Sequence, residues 1–359
     1  MNGPVKEEAM TDTENGGWKG AGDDLPRMIQ EALALLGKTA SANELADRVR
    51  RLDLGLPAED EFTVLCTWLG RCELIHKLDQ QQVPSSSRKM YQVPDLLARF
   101  SSQINAKPVL IEVKSKTANK LTFRADDLRK LQSYADLLGM PLLIAWRYRS
   151  LWVLFETRHL KRTNKNYAIA FTEAIKENLL GVLAGDVMYV LEEQAGFHIT
   201  VRKEHLIDTV VQDDHSVQQW RTVIDAMYFT DGTGQRYDDL GEGVAQLFVT
   251  AELDEVQEHT ESHIYLRGTA GLHGAQPSHR ALVNLLHWES HAGHALNWRH
   301  VLLRDQPLAT VQDFHALLWA GLRKKVVRTV LEQYPLTLPD FIAPHDALAV
   351  DQSAARNHE

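Results

Sequence analysis

Residues 91–116, YQVPDLLARFSSQINAKPVLIEVKSK, contain two apolar, β-prone runs, Tyr91–Phe100 and Pro108–Val113, and an acidic residue falls within or directly before the end of each. A carboxylate inside a strand loses hydration and needs a partner or a metal. Alternation along VLIEVKSK sends Glu112 and Lys114 to one face of the strand, while Ile111 and Val113 pack on the other. Asp95 follows Pro94, which cannot donate to a ladder and so suits a strand end or bulge. If the two strands are antiparallel neighbours joined by SSQINAK, Asp95 and Glu112 converge and offer hard oxygen ligands suited to Mg²⁺ or Mn²⁺. Such a metal polarises a phosphoryl oxygen and lowers the pKa of a bound water, while Lys114 orients the nucleophile or stabilises developing charge. An isolated E-x-K is more often a bland exposed ion pair on an edge strand. Pro94-Asp95, the short spacing, the apolar flanks and the basic surroundings together favour a phosphodiester-cleaving site.

Outward from this stretch, the pattern reads as an α/β unit. Its order is helix Glu61–Leu69, strands Glu73–Leu78, Met90–Phe100 and Pro108–Lys114, helix ADDLRKLQSYADLLG, then strands Pro141–Trp146 and Leu151–Phe155. The helix has Leu128, Leu131, Ala135 and Leu138 on one face and stops at Gly139. The nearly pure apolar run PLLIAW is expected of a strand covered on both sides.

The net charge of −9 conceals an uneven distribution. Residues 86–165 carry a balance of +10 and the remainder −19. Because salt screens charge beyond about 8–10 Å, a phosphate backbone responds to the local basic surface. A solvated basic face that merely balances acidic neighbours is the bland alternative.

The words PDLLARF, IEVKS, LRKLQSYADLLGMPLLIAWRY and LWVLFE resemble the PD-(D/E)XK nuclease superfamily, most closely the archaeal Holliday-junction-resolvase branch, over residues 60–160 or so. The resemblance implies a restriction-endonuclease-like core, with a mixed central sheet flanked by helices. It makes Asp95, Glu112 and the carbonyl of Val113 the metal ligands and Lys114 the catalytic lysine. It also implies a glutamate on the first helix, best matched by Glu61 with Glu59 competing. A serine before the P-D strand is best matched by Ser86, with Ser85 and Ser87 competing. Gln132 is either turned to the site or an exposed polar helix position. Arg88, Lys89, Lys116, Lys120 and Arg124 are expected to track the phosphate backbone. The expected partners are duplex or branched DNA and a second copy of the chain in a homodimer.

Around this unit, residues 1–24 read as a disordered polar tail with no secretory signal. Residues 25–59 form a helical segment, which with the following ribbon has the order of a winged helix or is a plain packing element. The nuclease unit spans 60–162. Residues 166–343 form a C-terminal α+β domain, and 344–359 a frayed end. In the C-terminal part, helices are expected at AFTEAIKENLLGVL, SHRALVNLLHWESH and TVQDFHALLWAGLRKKVVRTVLEQY, and strands at DVMYVLEE, FHITVRK and SHIYLRG. Its acidic character suggests a further task, such as partner binding or an effector role in bacterial defence or mobile elements. No apolar run approaches the roughly 20 residues that span a bilayer, and a cytoplasmic location is expected. Cys66 and Cys72 are too few for a disulfide framework. His287, His291 and His294 are more simply a solvated helix face than a zinc site. DGTGQRYDDLGEG, at 231–243, is a surface loop and not a phosphate loop.

Overall fold

The computed structural model describes residues 58–101, 107–212, 215–271, 274–289 and 314–342. The expected winged-helix segment and both tails therefore lie outside the described residues, as do His291 and His294.

A helix over residues 58–68 (α1) leads into strand Cys72–Lys77 (β1). Strands Leu96–Phe100 (β2), Val109–Ser115 (β3) and Lys120–Arg124 (β4) follow, then helix Ala125–Leu138 (α2), then strands Leu142–Tyr148 (β5) and Leu151–Glu156 (β6). The main sheet has the order β1-β2-β3-β5-β6; only the β3–β5 pair is parallel. Gly139 ends α2 in the left-handed conformation (φ 65°), donating to the carbonyls of Ala135 and Asp136. This mixed sheet with helices on its faces is the restriction-endonuclease-like core that the sequence pattern implies.

The sheet has two dry faces. Leu110, Leu142, Ile144 and Trp146 pack with Leu128, Leu131 and Ala135 of α2 and with Leu121 and Phe123 of β4. On the other face, Val109, Ile111, Val113, Leu143 and Ala145 meet Phe62, Leu65 and Cys66 of α1, and the Phe62 ring lies 5.0 Å from that of Trp152. Truncating a fully buried aromatic such as Trp152 costs about 3–5 kcal/mol in comparable cores.

β4 escaped the sequence reading. It pairs with Asn166–Ala170 (β8), which pairs with Lys161–Thr163 (β7), in a separate small sheet. Residues 90–94, expected to open a strand, instead follow a 3-10 turn at Ser85–Lys89, and pairing starts only after Pro94.

Further along the chain, helix Leu180–Ala184 (α3) precedes strand Val187–Leu191 (β9). A five-stranded antiparallel sheet follows, built from Gly196–Gln212 (β10), His215–Thr230 (β11), Arg236–Tyr237 (β12), Asp254–His259 (β13) and His263–Thr269 (β14) in the order β12-β11-β10-β14-β13. Helix Gln246–Thr250 (α4) interrupts the chain between β12 and β13. Strand Gln276–Pro277 (β15), helix Ser278–Glu289 (α5), helix Phe314–Arg323 (α6) and strand Val327–Glu332 (β16) complete the described chain, with sheet order β15-β9-β16. Leu180, Tyr189, Leu247, Leu282 and Leu318 join the same core as α1 and Ile111, so the two halves share one apolar interior.

Two expected helices are corrected. The one through AFTEAIKENLLGVL breaks at Asn178, whose extended backbone lets its side-chain oxygen accept the N–H groups of Leu154 (2.9 Å) and Leu180 (3.2 Å). The last helix stops at Arg323, Lys325 turns left-handed (φ 55°), and the β-branched VVRTV run becomes β16.

A buried polar clasp joins the halves. His279 Nε2 accepts the N–H of Trp152 on β6 (3.1 Å), so Nδ1 carries the proton donated to Asp186 Oδ2 (2.7 Å). Asp186 Oδ1 also accepts from Ser278 Oγ (2.6 Å) and the His279 N–H (3.0 Å), which caps α5. Burial opposes ionisation of Asp186, but His279 and Ser278 outweigh it and hold the carboxyl below its ordinary range. A depressed carboxyl stabilises the fold above the unfolded pKa of about 4 and ceases to as pH falls through the folded value. Asp186→Ala should therefore lower the unfolding free energy by about 3 kcal/mol or more at neutral pH, measured by urea titration, and the gap to wild type should narrow in acid.

Candidate active site

β3 carries the site because its alternation places Leu110, Glu112 and Lys114 toward α2 and Ile111 and Val113 toward α1. β2 runs antiparallel to it with Leu96 opposite Ile111, and Asp95 continues that register towards Glu112. The Asp95 carboxylate accepts the N–H of Val113 (2.7 Å), which fixes it against β3.

Glu112 is 3% exposed. Its Oε1 accepts from the Lys114 ammonium, which also donates to the Val113 carbonyl (3.2 Å) and sits 5.8 Å from the Phe123 ring. Its Oε2 is buried with no partner. Burial, then the charge of Asp95, pushes the Glu112 carboxyl up to about 8 against the pull of Lys114. Burial alone would lower Lys114, but Glu112 and Asp95 hold its ammonium above the ordinary range.

The helix glutamate is where geometry and sequence reading part. Glu61 faces the opposite side of the sheet, ion-paired to Arg147 and accepting from Trp152 Nε1 (2.8 Å). Glu59, bound to Lys77 Nζ (3.2 Å), is the α1 carboxylate whose charge reaches both Glu112 and Lys114. Helical geometry separates residues two apart by about 200°, so the two glutamates cannot serve the same face.

Comparison with known proteins bears on this segment. Residues 81–184 match the family model of the archaeal Holliday junction resolvase, Hjc. This stretch carries a resolvase-like PD-(D/E)XK domain. Among solved structures, Hjc from Archaeoglobus fulgidus, a Holliday junction resolvase from an archaeal hyperthermophile, is similar over 33% of this chain and 89% of that one, at 24% identity and a TM-score of 0.28. That likeness is too small to carry an argument. No curated protein matches.

The remaining candidates scatter. Ser86 is exposed on the 3-10 turn, with no described hydrogen bond to Glu112 or Lys114. Gln132 is occupied elsewhere, donating to Asp136 (2.9 Å) and accepting from Thr157 Oγ1 (3.1 Å). Arg88, Lys89 and Lys116 are exposed. Lys120 and Arg124 alternate with buried Leu121 and Phe123 on β4, so they share its outer face. Pairing through β8 adds Lys161 to that face, a residue no linear motif marks because β7 and β4 lie forty residues apart. Arg323 and Arg328, by contrast, are paired with Glu242 and with Glu192 and Glu193.

No group of three or more His, Cys, Asp or Glu side chains among the described residues is placed to hold a metal. Two carboxylates and a backbone carbonyl nevertheless fit a hard divalent cation, and the orphaned Glu112 Oε2 is an acceptor lacking the donor or cation that a buried oxygen requires. The Lys114 ammonium meets part of that need by touching Glu112 Oε1 and the Val113 carbonyl. Because a ligand carboxyl must be deprotonated, Mg²⁺ or Mn²⁺ affinity should rise with pH up to about 8 and fall about tenfold per unit below it. Either ion should raise the melting temperature of the wild type and leave that of Glu112→Gln unchanged. Glu61→Ala should instead lower the melting temperature with or without metal, since it strands Arg147 and Trp152 Nε1.

Proposed function

We propose that this protein is a metal-dependent DNA endonuclease acting on duplex or branched DNA. The observation that carries the reading is the β2–β3 pairing, which brings Asp95 onto the backbone of Val113 beside a buried Glu112 and its bound Lys114. A cation held by Asp95, Glu112 and the Val113 carbonyl would supply Lewis acidity and an activated water. Lys114, fixed by Glu112, is placed to steady charge developing on a phosphoryl oxygen. Glu112 is buried while the Lys114 side chain remains partly open to solvent, so the pair spans the boundary between the sheet interior and the surface from which a phosphate would approach. Lys120, Arg124 and Lys161, on a small sheet that touches Lys114 through Phe123, supply the phosphate-backbone contacts. A homodimer would bring two such sites to the paired strands of a junction.

Cleavage of linear, supercoiled and four-way-junction DNA should require Mg²⁺ or Mn²⁺ and stop in EDTA. Lys114→Ala should reduce it about a hundredfold or more with the fold and DNA binding retained. Salt-sensitive binding without cutting by the wild type in either metal would instead favour a non-catalytic DNA-binding module. Lys120→Ala and Arg124→Ala should each weaken binding uniformly across sequences and reduce the log–log salt slope by about 1, as read by fluorescence anisotropy.

A further inference from the structure

The outer face of the large C-terminal sheet carries a row of aromatic and cationic side chains across four strands. Register aligns Tyr228 on β11 with His198 on β10 and Arg267 on β14, while Arg236 enters from β12. The Tyr228 and His198 rings are stacked, with centroids 4.5 Å apart and planes 5° from parallel, and the Arg236 guanidinium lies 3.9 Å from the Tyr228 ring centre. The alternate residues Phe197 and Phe229 turn inward to the core, so this row is an outer face.

The stack is held in advance of any ligand. Thr230 donates its only hydroxyl proton to the Gln194 carbonyl (2.7 Å), so its oxygen accepts from His198 Nε2 (3.2 Å), which fixes the imidazole plane and tautomer. β11 lies on one side of β10 and β14 on the other. With Tyr228 covering one face of His198, the second face turns toward Arg267 and a recess of about 160 Å³ that Tyr265 and Val256 also line. That is well below the roughly 300 Å³ of a drug-sized pocket and suits a single flat ring. Arg267 and Arg236 are the charges that, after burial, hold His198 below its ordinary pKa, so the local field is positive although the surrounding region is acidic.

We propose that this face binds single-stranded DNA, one unpaired base extending the Arg236–Tyr228–His198 stack within the recess and Arg267 meeting its phosphate. Base stacking on aromatic rings beside cations is the general means of holding a single strand without reading a duplex. Glu258, 3.9 Å from Arg267 at the rim, accepts from an exocyclic amino group and so favours cytosine or adenine over thymine.

The proposal is independent of the nuclease reading and is tested in EDTA, where nothing is cut. Binding of short labelled single-stranded oligodeoxynucleotides to the full chain is measured by anisotropy, against the same sequence as duplex and as RNA. The expected result is tighter binding of the DNA single strand than of either. Tyr228→Ala should weaken it about tenfold or more, while Tyr228→Phe should leave it unchanged. Thermal melts of each variant confirm folding; the side chains changed are on the sheet surface. Equal binding by Tyr228→Ala, equal or tighter binding of duplex or RNA, or equally effective competition by a free nucleoside monophosphate would each overturn it. Metal-dependent cleavage alongside any of those results leaves the nuclease intact, whereas single-strand binding without cleavage removes the nuclease reading alone.

Discussion

The ion pair between Glu112 and Lys114 is the constraint on which the nuclease half depends. A carboxylate so deeply buried at the middle of a sheet is eased by an ammonium two residues away on the same strand face, which backbone geometry alone brings within reach. Neutralisation is incomplete. One oxygen has a partner and the other has none, and Asp95 brings a second negative charge close by. The pair therefore leaves one buried acceptor oxygen unpartnered, a need that a donor or a cation meets and an additional hydrophobic contact does not.

That pair was legible in the sequence because strand alternation is local: E-x-K fixes a common face without knowledge of the fold. Asp95 was legible with one added assumption, antiparallel pairing of the flanking strands, which the observed register of Leu96 with Ile111 satisfies. Glu61 was misread for a corresponding reason. The sequence shows that α1 is amphipathic but not which way it is rotated against the sheet, and Phe62, Leu65 and Cys66 turn Glu61 towards Arg147 and Trp152 instead of Glu112. Ser86 and Gln132 depended on loop and helix orientations that no local pattern sets.

The C-terminal half was less legible because its decisive contacts are long-range or made by single side chains. Asn178 breaks a run that has helical composition throughout, by trading its own side chain for two backbone partners. In the last helix, Lys325 reverses the chain where lysine ordinarily continues a helix, and the β-branched residues after it supply the cue that sequence periodicity overrode.

The same long-range contacts decide what the outer edge of β6 is free to do. β6 is the last strand of the main sheet, and such an edge presents backbone groups to any passing strand. Here the N–H of Trp152 is taken by His279 Nε2, the N–H of Leu154 by the Asn178 side chain, and the Leu154 carbonyl by the N–H of Leu179 at 2.7 Å. Asn178 and Leu179 lie near the end of the stretch that matches the resolvase family model, and His279 comes from the chain after it. This part of the edge is therefore closed by two side chains and a single backbone bond, without an added strand. With these groups already paired, this stretch of β6 opposes the addition of a further strand.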